Sequence, residues 1–214
     1  MKIKNGMHVI TKLGVTELMN LIKDRIFSFN YYYVLARNLD RPIELSFYRK
    51  SYAVISLAQP SDIIKIQESL STLSQQDRRE LLARMQFYQN GFNNCYIMTV
   101  NDRIACLQWL ITSQENHIIA QKYSKKFYPL HDKQVMAENA FTYPRFRGFG
   151  YFPLLTKHLL ETAKKMGATS AIGYVRTDRI ASVNDSITMG FRIIKVIKEY
   201  KMAGLVWRNL NKKK

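Results

Sequence analysis

The chain is 214 residues long and 47% hydrophobic, with 33 Lys and Arg against 16 Asp and Glu for a formal net charge of +17. That is enough chain for one well-buried core with a small annex. Its longest apolar runs, around Tyr31 to Ala36 and Gly204 to Trp207, fall far short of the ~18 residues a spanning helix needs; Cys95 and Cys106 lack CxxC or metal-ligand spacing, so no membrane helix, disulfide framework or metal site is expected.

The charge is unevenly spread. Lys and Arg outnumber Asp and Glu by 9 to 4 in residues 1–50 and by 19 to 6 in residues 121–214, whereas residues 51–120 hold 5 against 6. Such an imbalance suits an anionic partner, whether nucleic acid, an acidic membrane surface or a phosphate-rich ligand, and equally a solvated surface with a basic tail. The opening stretch lacks the apolar segment and cleavage site of a secretory signal, so the expectation is a cytoplasmic protein.

Residues 14–27 place Leu18, Leu21, Ile22 and Ile26 on one side of a helix behind a Thr16 cap, and "FNYYYVLA" reads as a strand or an aromatic docking segment. Together they predict a basic, aromatic annex over 1–45, with the main domain over 46–214. The annex's apolar face could rest on a membrane interface or pack on the main domain.

Within the main domain "SYAVISLA" predicts a strand, Pro60 with a Ser61 cap opens a short helix, and Ser74 with Asp77 three residues on opens a second that closes at Asn90-Gly91. Two apolar strands flank the turn signature Val100-Asn101-Asp102-Arg103. The polar stretch from Thr112 to Gln134 contains His117, His131, Tyr123, Phe127 and Tyr128; it reads as loop packing or as an acceptor pocket whose rings stack on a sugar or aromatic group. "KQVMAENAFTY" is the next strand. From about Gly150 to Met166 the apolar positions, among them Leu155, Leu159 and Ala163, form one helical stripe that also carries His158, read as a core histidine. A strand, a short helix capped by Asp178 and ending at Gly190, and strands through Trp207 complete the chain, the last of which closes the sheet or pairs across a homodimer. The order implies an α+β domain, a mixed sheet flanked by helices in three layers.

One stretch points to chemistry. In "RFRGFG", Gly148 and Gly150 fall between a strand and a helix whose first turn accommodates Pro153. Amide groups at a helix N-terminus lack acceptors and sit at the positive end of the dipole, so they attract an anion. The glycines let that anion approach the backbone, and Arg145 and Arg147 add charge-assisted donors. GxSxG, HExxH and Walker motifs are absent, which removes hydrolase, zinc-protease and P-loop readings.

Arg145-x-x-Gly148-x-Gly150 behind a strand and Pro144, with Gly190-Phe191 about forty residues later at the end of a short helix, resembles the signature of the GCN5-related N-acetyltransferases. The resemblance covers residues 51 to 207 in outline and implies a mostly antiparallel sheet, acetyl-CoA or another short acyl-CoA as cosubstrate, and an amine acceptor. It implies that the amides of Arg147, Gly148, Phe149, Gly150 and Tyr151 hold the coenzyme pyrophosphate, with Arg179 and Ser182 nearby. Amides of Phe141, Thr142 and Tyr143 would bind the pantetheine arm and polarise the acyl carbonyl. Glu138, the one carboxylate in the preceding strand, takes the place of a base, though a solvated or lysine-paired Glu fits equally. Ser186 stands where relatives often carry an acidic tyrosine, and a serine hydroxyl is a poorer proton donor than a phenol. The acceptor is open; the positive charge favours an anionic one such as a nucleotide-linked amino sugar. The alternative is a non-catalytic module that uses its basic surface on nucleic acid or an anionic membrane.

Overall fold

Asn101 and Asp102, with φ of 48° and 60°, turn β3 (Cys95–Val100) back onto β4 (Arg103–Thr112) in the tight hairpin that the sequence pattern predicts. A computed structural model of the protein describes residues 27–44, 53–202 and 205–210; apart from Phe27, the helix expected over 14–27 lies outside them. Around the hairpin the described strands are β1 (Phe27–Asn38), β2 (Ala53–Leu57), β5 (Gln134–Thr142), β6 (Ser170–Arg176), β7 (Arg192–Met202) and β8 (Leu205–Arg208). They form one sheet in the order β2-β3-β4-β5-β6-β1-β7-β8. Every neighbouring pair is antiparallel except β5 and β6. The fold is therefore α+β with a mixed, mostly antiparallel sheet.

One face of the sheet is covered by α1 (Pro60–Ser69), α2 (Gln75–Gln89) and residues 113–130. Its core is aromatic: Trp109 and Phe92 are fully buried, and Phe87 meets Phe92, Trp109, Tyr123 and Phe127. The other face carries α3 (Tyr151–Lys165) and the end of α4 (Ile180–Thr188). Of the predicted stripe of α3, Leu155, Leu159 and Ala163 are buried, Leu160 joins them, and Met166, expected on the same stripe, is exposed past the helix end; each buried leucine contributes about 1.5–3 kcal/mol. His158 sits only part-way into this layer, its ring 6.0 Å from that of Tyr96.

Three local expectations change. The cap of α1 is Gln59, in a reciprocal box with Asp62, because Pro60 and Ser61 already lie inside the helix. Residues 113–123 wind into short 3₁₀, α and π turns, and Tyr123 and Phe127 are buried in the core, so these two rings are not free to stack on an acceptor. Phe27–Asn38, expected within an annex, lies inside the sheet and pairs with β6 along one edge and β7 along the other. Within the chain, β8 pairs with β7 at the edge of the sheet.

Candidate active site

The two halves of the sheet come apart between β5 and β6. Their parallel ladder holds for Gln134–Ser170, Val135–Ala171 and Met136–Ile172 and then stops. Beyond it β5 stays with β4 as far as Thr142, and β6 stays with β1 as far as Arg176, so a fork opens toward the C-terminal ends of both strands. Gly173 lies at its base, where an added Cβ would reach ordinary contact with the carbonyl of Ala137.

A bulge sharpens the fork. From Glu138 to Phe141, β5 takes three steps where β4 takes two from Trp109 to Leu107, and Asn139 absorbs the extra residue at φ 65°. Asn139 is held there by α2: its Nδ2 donates to the carbonyl of Arg84 at 3.0 Å, while Arg84 Nε donates to the carbonyl of Ala140 at 3.2 Å. Next to the bulge, the Glu138 carboxylate reaches across and accepts the N–H of Tyr174 at 3.0 Å. Burial pushes its carboxyl above the ordinary value, and the nearby Arg208 guanidinium and the amides of Tyr174 and Asn139 pull the other way. Glu138 keeps part of its surface open although protein atoms crowd the carboxylate, so it is not a freely solvated surface group.

Strand direction decides which amides face the fork. Tyr143 donates its N–H to the carbonyl of Ala105 at 3.0 Å, and by alternation Phe141 turns its own toward β4 as well. Both side chains are buried, with the Tyr143 hydroxyl 2.8 Å from Ser69 Oγ. Of the three expected amides only Thr142 faces the opening; its carbonyl accepts from Arg147 Nε at 3.1 Å.

The glycine loop follows directly. A short 3₁₀ turn over Pro144–Phe146 leads to Gly148 and Gly150, at φ 80° and 76°, and Gly150 is the N-cap of α3. These left-handed conformations strain any residue with a Cβ. Among the described residues, no acceptor meets the N–H groups of Gly148, Phe149, Gly150 and Tyr151, and the space over Gly148 is open for 4 Å. Free amides, an open approach and the positive end of a four-turn helix together fit a phosphate group.

No protein-family model matches the sequence, and no curated protein matches it. Solved structures match the fold. A GCN5-related N-acetyltransferase from Sphaerobacter thermophilus superposes with a TM-score of 0.54 at 11% identity, covering 87% of this chain and 56% of its own. A GCN5-related glucosamine N-acetyltransferase region of a fungal multi-domain GH3 β-N-acetylglucosaminidase gives 0.60 at 11% identity, over 90% of this chain and 22% of that one. This chain has the GCN5-related N-acetyltransferase fold. A GNAT-family acetyltransferase from Colwellia psychrerythraea matches in the same way, with a TM-score of 0.54, 12% identity and coverage of 88% and 63%. The chain thus spans less than two thirds of each of these three relatives.

Within the acetyltransferase fold, the remaining expected residues are placed unequally. Arg145 lies over the ring of Phe146 at the exposed start of the loop. Arg147 turns away from the loop amides to pair with Asp77, 2.5 Å away at the start of α2, so it positions the loop. Arg179 is the N-cap residue of α4 and pairs with Glu80 of α2 at 2.5 Å, while Asp178, expected as the cap, is held by Arg176. Ser182 stands in the first turn of α4, half-buried, its carbonyl accepting from Ser186 Oγ at 2.8 Å. Ser186 is itself buried. With its proton directed to a backbone carbonyl inside its own helix, Ser186 packs the helix and is not placed as an acid. Asn139, Arg84, Tyr174 and Arg208 join the site from outside the sequence motifs; only Asn139, a turn-favouring residue inside an apolar strand, leaves a signal in the sequence.

Proposed function

We propose that the protein is an acyl-CoA-dependent N-acyltransferase that moves an acetyl or other short acyl group to a primary amine. The observation that carries this reading is the fork between β5 and β6, which opens directly onto the amide-lined loop at the N-terminus of α3. Acyl-CoA presents a thioester, a carbonyl already activated toward an amine; as the C–N bond forms the C–S bond breaks, and the coenzyme leaves as a thiolate that takes its proton from solvent. In this reading the N–H groups of Gly148 to Tyr151 bind its pyrophosphate, with Arg145 adding charge at the loop's exposed edge. Thr142 offers its N–H to the pantetheine arm inside the fork. Glu138 removes the proton that the amine must lose, and a carboxyl raised by burial is better matched to that task near neutral pH than an ordinary one. Asn139, locked by Arg84, holds the bulge and so fixes where the Glu138 carboxylate points; positioning of this kind carries much of the acceleration in a direct transfer.

The acceptor enters from the side of α2. Arg84 and Arg179 stand there with Glu80, and the net charge of +17 favours an acceptor that carries negative charge beside its amine, such as a nucleotide-linked amino sugar. Calorimetric titration with acetyl-CoA, followed by a thiol-release assay against a panel of amino sugars, amino acids, polyamines and peptides, tests the reading. Saturable coenzyme binding with release dependent on one amine class supports it. Absence of coenzyme binding overturns it, and salt-sensitive binding to nucleic acid or anionic vesicles without turnover replaces it with the binding-module reading.

A further inference from the structure

Arg37 on β1 is 7% exposed, and a guanidinium stays charged in any protein environment. Among the described residues it has no carboxylate partner. Its Nη2 donates to the carbonyls of Arg41 and Pro42 at 2.6 and 2.8 Å, and its Nε finds no acceptor. Gly190, just after α4, packs against the group: a Cβ there would collide with Nη1. A buried cation without a counter-charge is costly, and an anion brought to it recovers part of that cost.

Beside Arg37 lies a half-open cleft of about 300 Å³, between the turn after β1 and the C-terminal half of α3. Arg37, Arg41, Lys157 and Lys164 line it, with Glu161 as the one carboxylate in its wall. Glu161 is already engaged by Lys157 at 3.7 Å, so a net positive charge remains, enough to outweigh the negative end of the α3 dipole. The rest of the wall is apolar, from Leu39, Pro42, Ile43 and Leu160. A volume at the lower end of the roughly 300–1,000 Å³ of small-molecule sites admits more than a bare ion. The cavity is set off from the glycine loop: its α3 lining runs from Lys157 to Lys164, beginning about 10 Å and ending about 21 Å along the helix from Gly150 at 1.5 Å per residue.

We propose that this cavity is a second binding site, for a small organic phosphate whose anionic head meets Arg37, Arg41 and Lys164 and whose body rests on the apolar wall. The site stands on its own geometry and does not depend on the acyltransferase reading.

The test uses the full chain with glucose 6-phosphate and inorganic phosphate as probes, and glucose as the uncharged control, followed by calorimetry and by melting temperature. Glucose 6-phosphate should bind saturably and more tightly than inorganic phosphate, with no response to glucose. Arg41→Ala with Lys164→Ala removes two exposed side chains and, with them, the bond from Lys164 Nζ to the carbonyl of Asp40 at 3.3 Å, so the free protein's melting temperature should fall only slightly; the dissociation constant should rise at least tenfold, about 1.4 kcal/mol. Arg37→Lys, which keeps the charge and loses the forked donors, should also weaken binding. An unchanged affinity in the double variant overturns the proposal, as does absence of saturable binding. Abolition of the probe's binding by acetyl-CoA, with the double variant unaffected, moves the phosphate to the glycine loop and overturns it too.

Discussion

Oε2 of Glu138 accepts the backbone N–H of Tyr174 at 3.0 Å, across the gap where β5 and β6 have stopped pairing. The carboxylate therefore touches both arms of the fork. Burial raises its pKa, so the folded chain keeps this proton to higher pH than the unfolded chain does. The stability linked to that proton is complete below the ordinary carboxylate value and is lost as pH rises through the raised one. Activity has the opposite sign, because a base must be ionised. Glu138→Gln should lower kcat by about 10²–10⁴-fold, leave acetyl-CoA affinity nearly unchanged, and flatten the acid limb of kcat/KM. A full acid limb retained in the variant would remove Glu138 from the base role.

Gly148 separates backbone strain from ligand access. Its φ of 80° costs a residue with a Cβ about 1–2 kcal/mol, yet an added Cβ meets nothing within 4 Å. Gly148→Ala should lower the melting temperature modestly and weaken acetyl-CoA binding only in part. Gly148→Leu should add little further instability but fill the approach to the loop, raising the dissociation constant at least about tenfold, 1.4 kcal/mol or more. Equal coenzyme affinity in both variants, measured by calorimetry, would break the link between this loop and the pyrophosphate.

The parts of the fold that sequence periodicity exposes are those whose partners are near in the chain. The α3 stripe, the Asn101-Asp102 hairpin and the glycine loop each rest on local patterns; the hairpin and the loop are found where the pattern puts them, and the stripe holds at Leu155, Leu159 and Ala163 but not at Met166. The place of β1 is not local: "FNYYYVLA" reads as a strand, but its neighbours Ser170–Arg176 and Arg192–Met202 are distant in sequence, and no periodicity names them. The same limit separates the site residues. Glu138 and the loop follow from position along one strand and its successor, whereas the amides of Phe141 and Tyr143 depend on which edge of β5 faces β4, a choice that requires the register. The motif marks Arg147 and Arg179 as ligand donors, and both instead meet carboxylates on α2, Asp77 and Glu80.

Ser186 stands where the resemblance places a proton donor, yet its proton stays inside the helix. Its hydroxyl donates to the carbonyl of Ser182 within α4, and Ser186→Ala removes a bond that competes with helix geometry. The variant should retain turnover within about twofold and melt within about 1 kcal/mol of the parent. A loss of kcat near 10²-fold, with coenzyme affinity intact, would restore Ser186 as a proton donor.

Burial makes the two thiols inert. Desolvation pushes the Cys106 thiol up to about 12 and also raises Cys95, so almost no thiolate exists at pH 8. Neither Cys95 nor Cys106 should react with iodoacetamide in the native protein over an hour, and both should react within minutes in denaturant, as read by mass spectrometry. Rapid native labelling of Cys106 would contradict the packing of β4 against α3.

Arg208 ties the last strand to the site. Its Nε pairs with Glu199 Oε2 at 2.9 Å, both side chains under a tenth exposed, and its guanidinium lies 3.9 Å from the centroid of Tyr32. Arg208→Ala leaves Glu199 buried with only the Tyr32 hydroxyl at 3.4 Å and the ammonium of Lys201 at 3.8 Å. Breaking such a pair on one side costs about 3–5 kcal/mol, and Lys201 should hold the loss to the lower end of that range. Adding Glu199→Gln should recover part of it, since the stranded charge is gone. Arg208 also pulls the Glu138 carboxyl downward, so its removal raises that pKa further and shifts the acid limb of kcat/KM to higher pH. Urea denaturation and the pH profile of the same variant separate the two roles: a stability loss with an unmoved acid limb would leave Arg208 as a staple between β7 and β8 with no influence on the base.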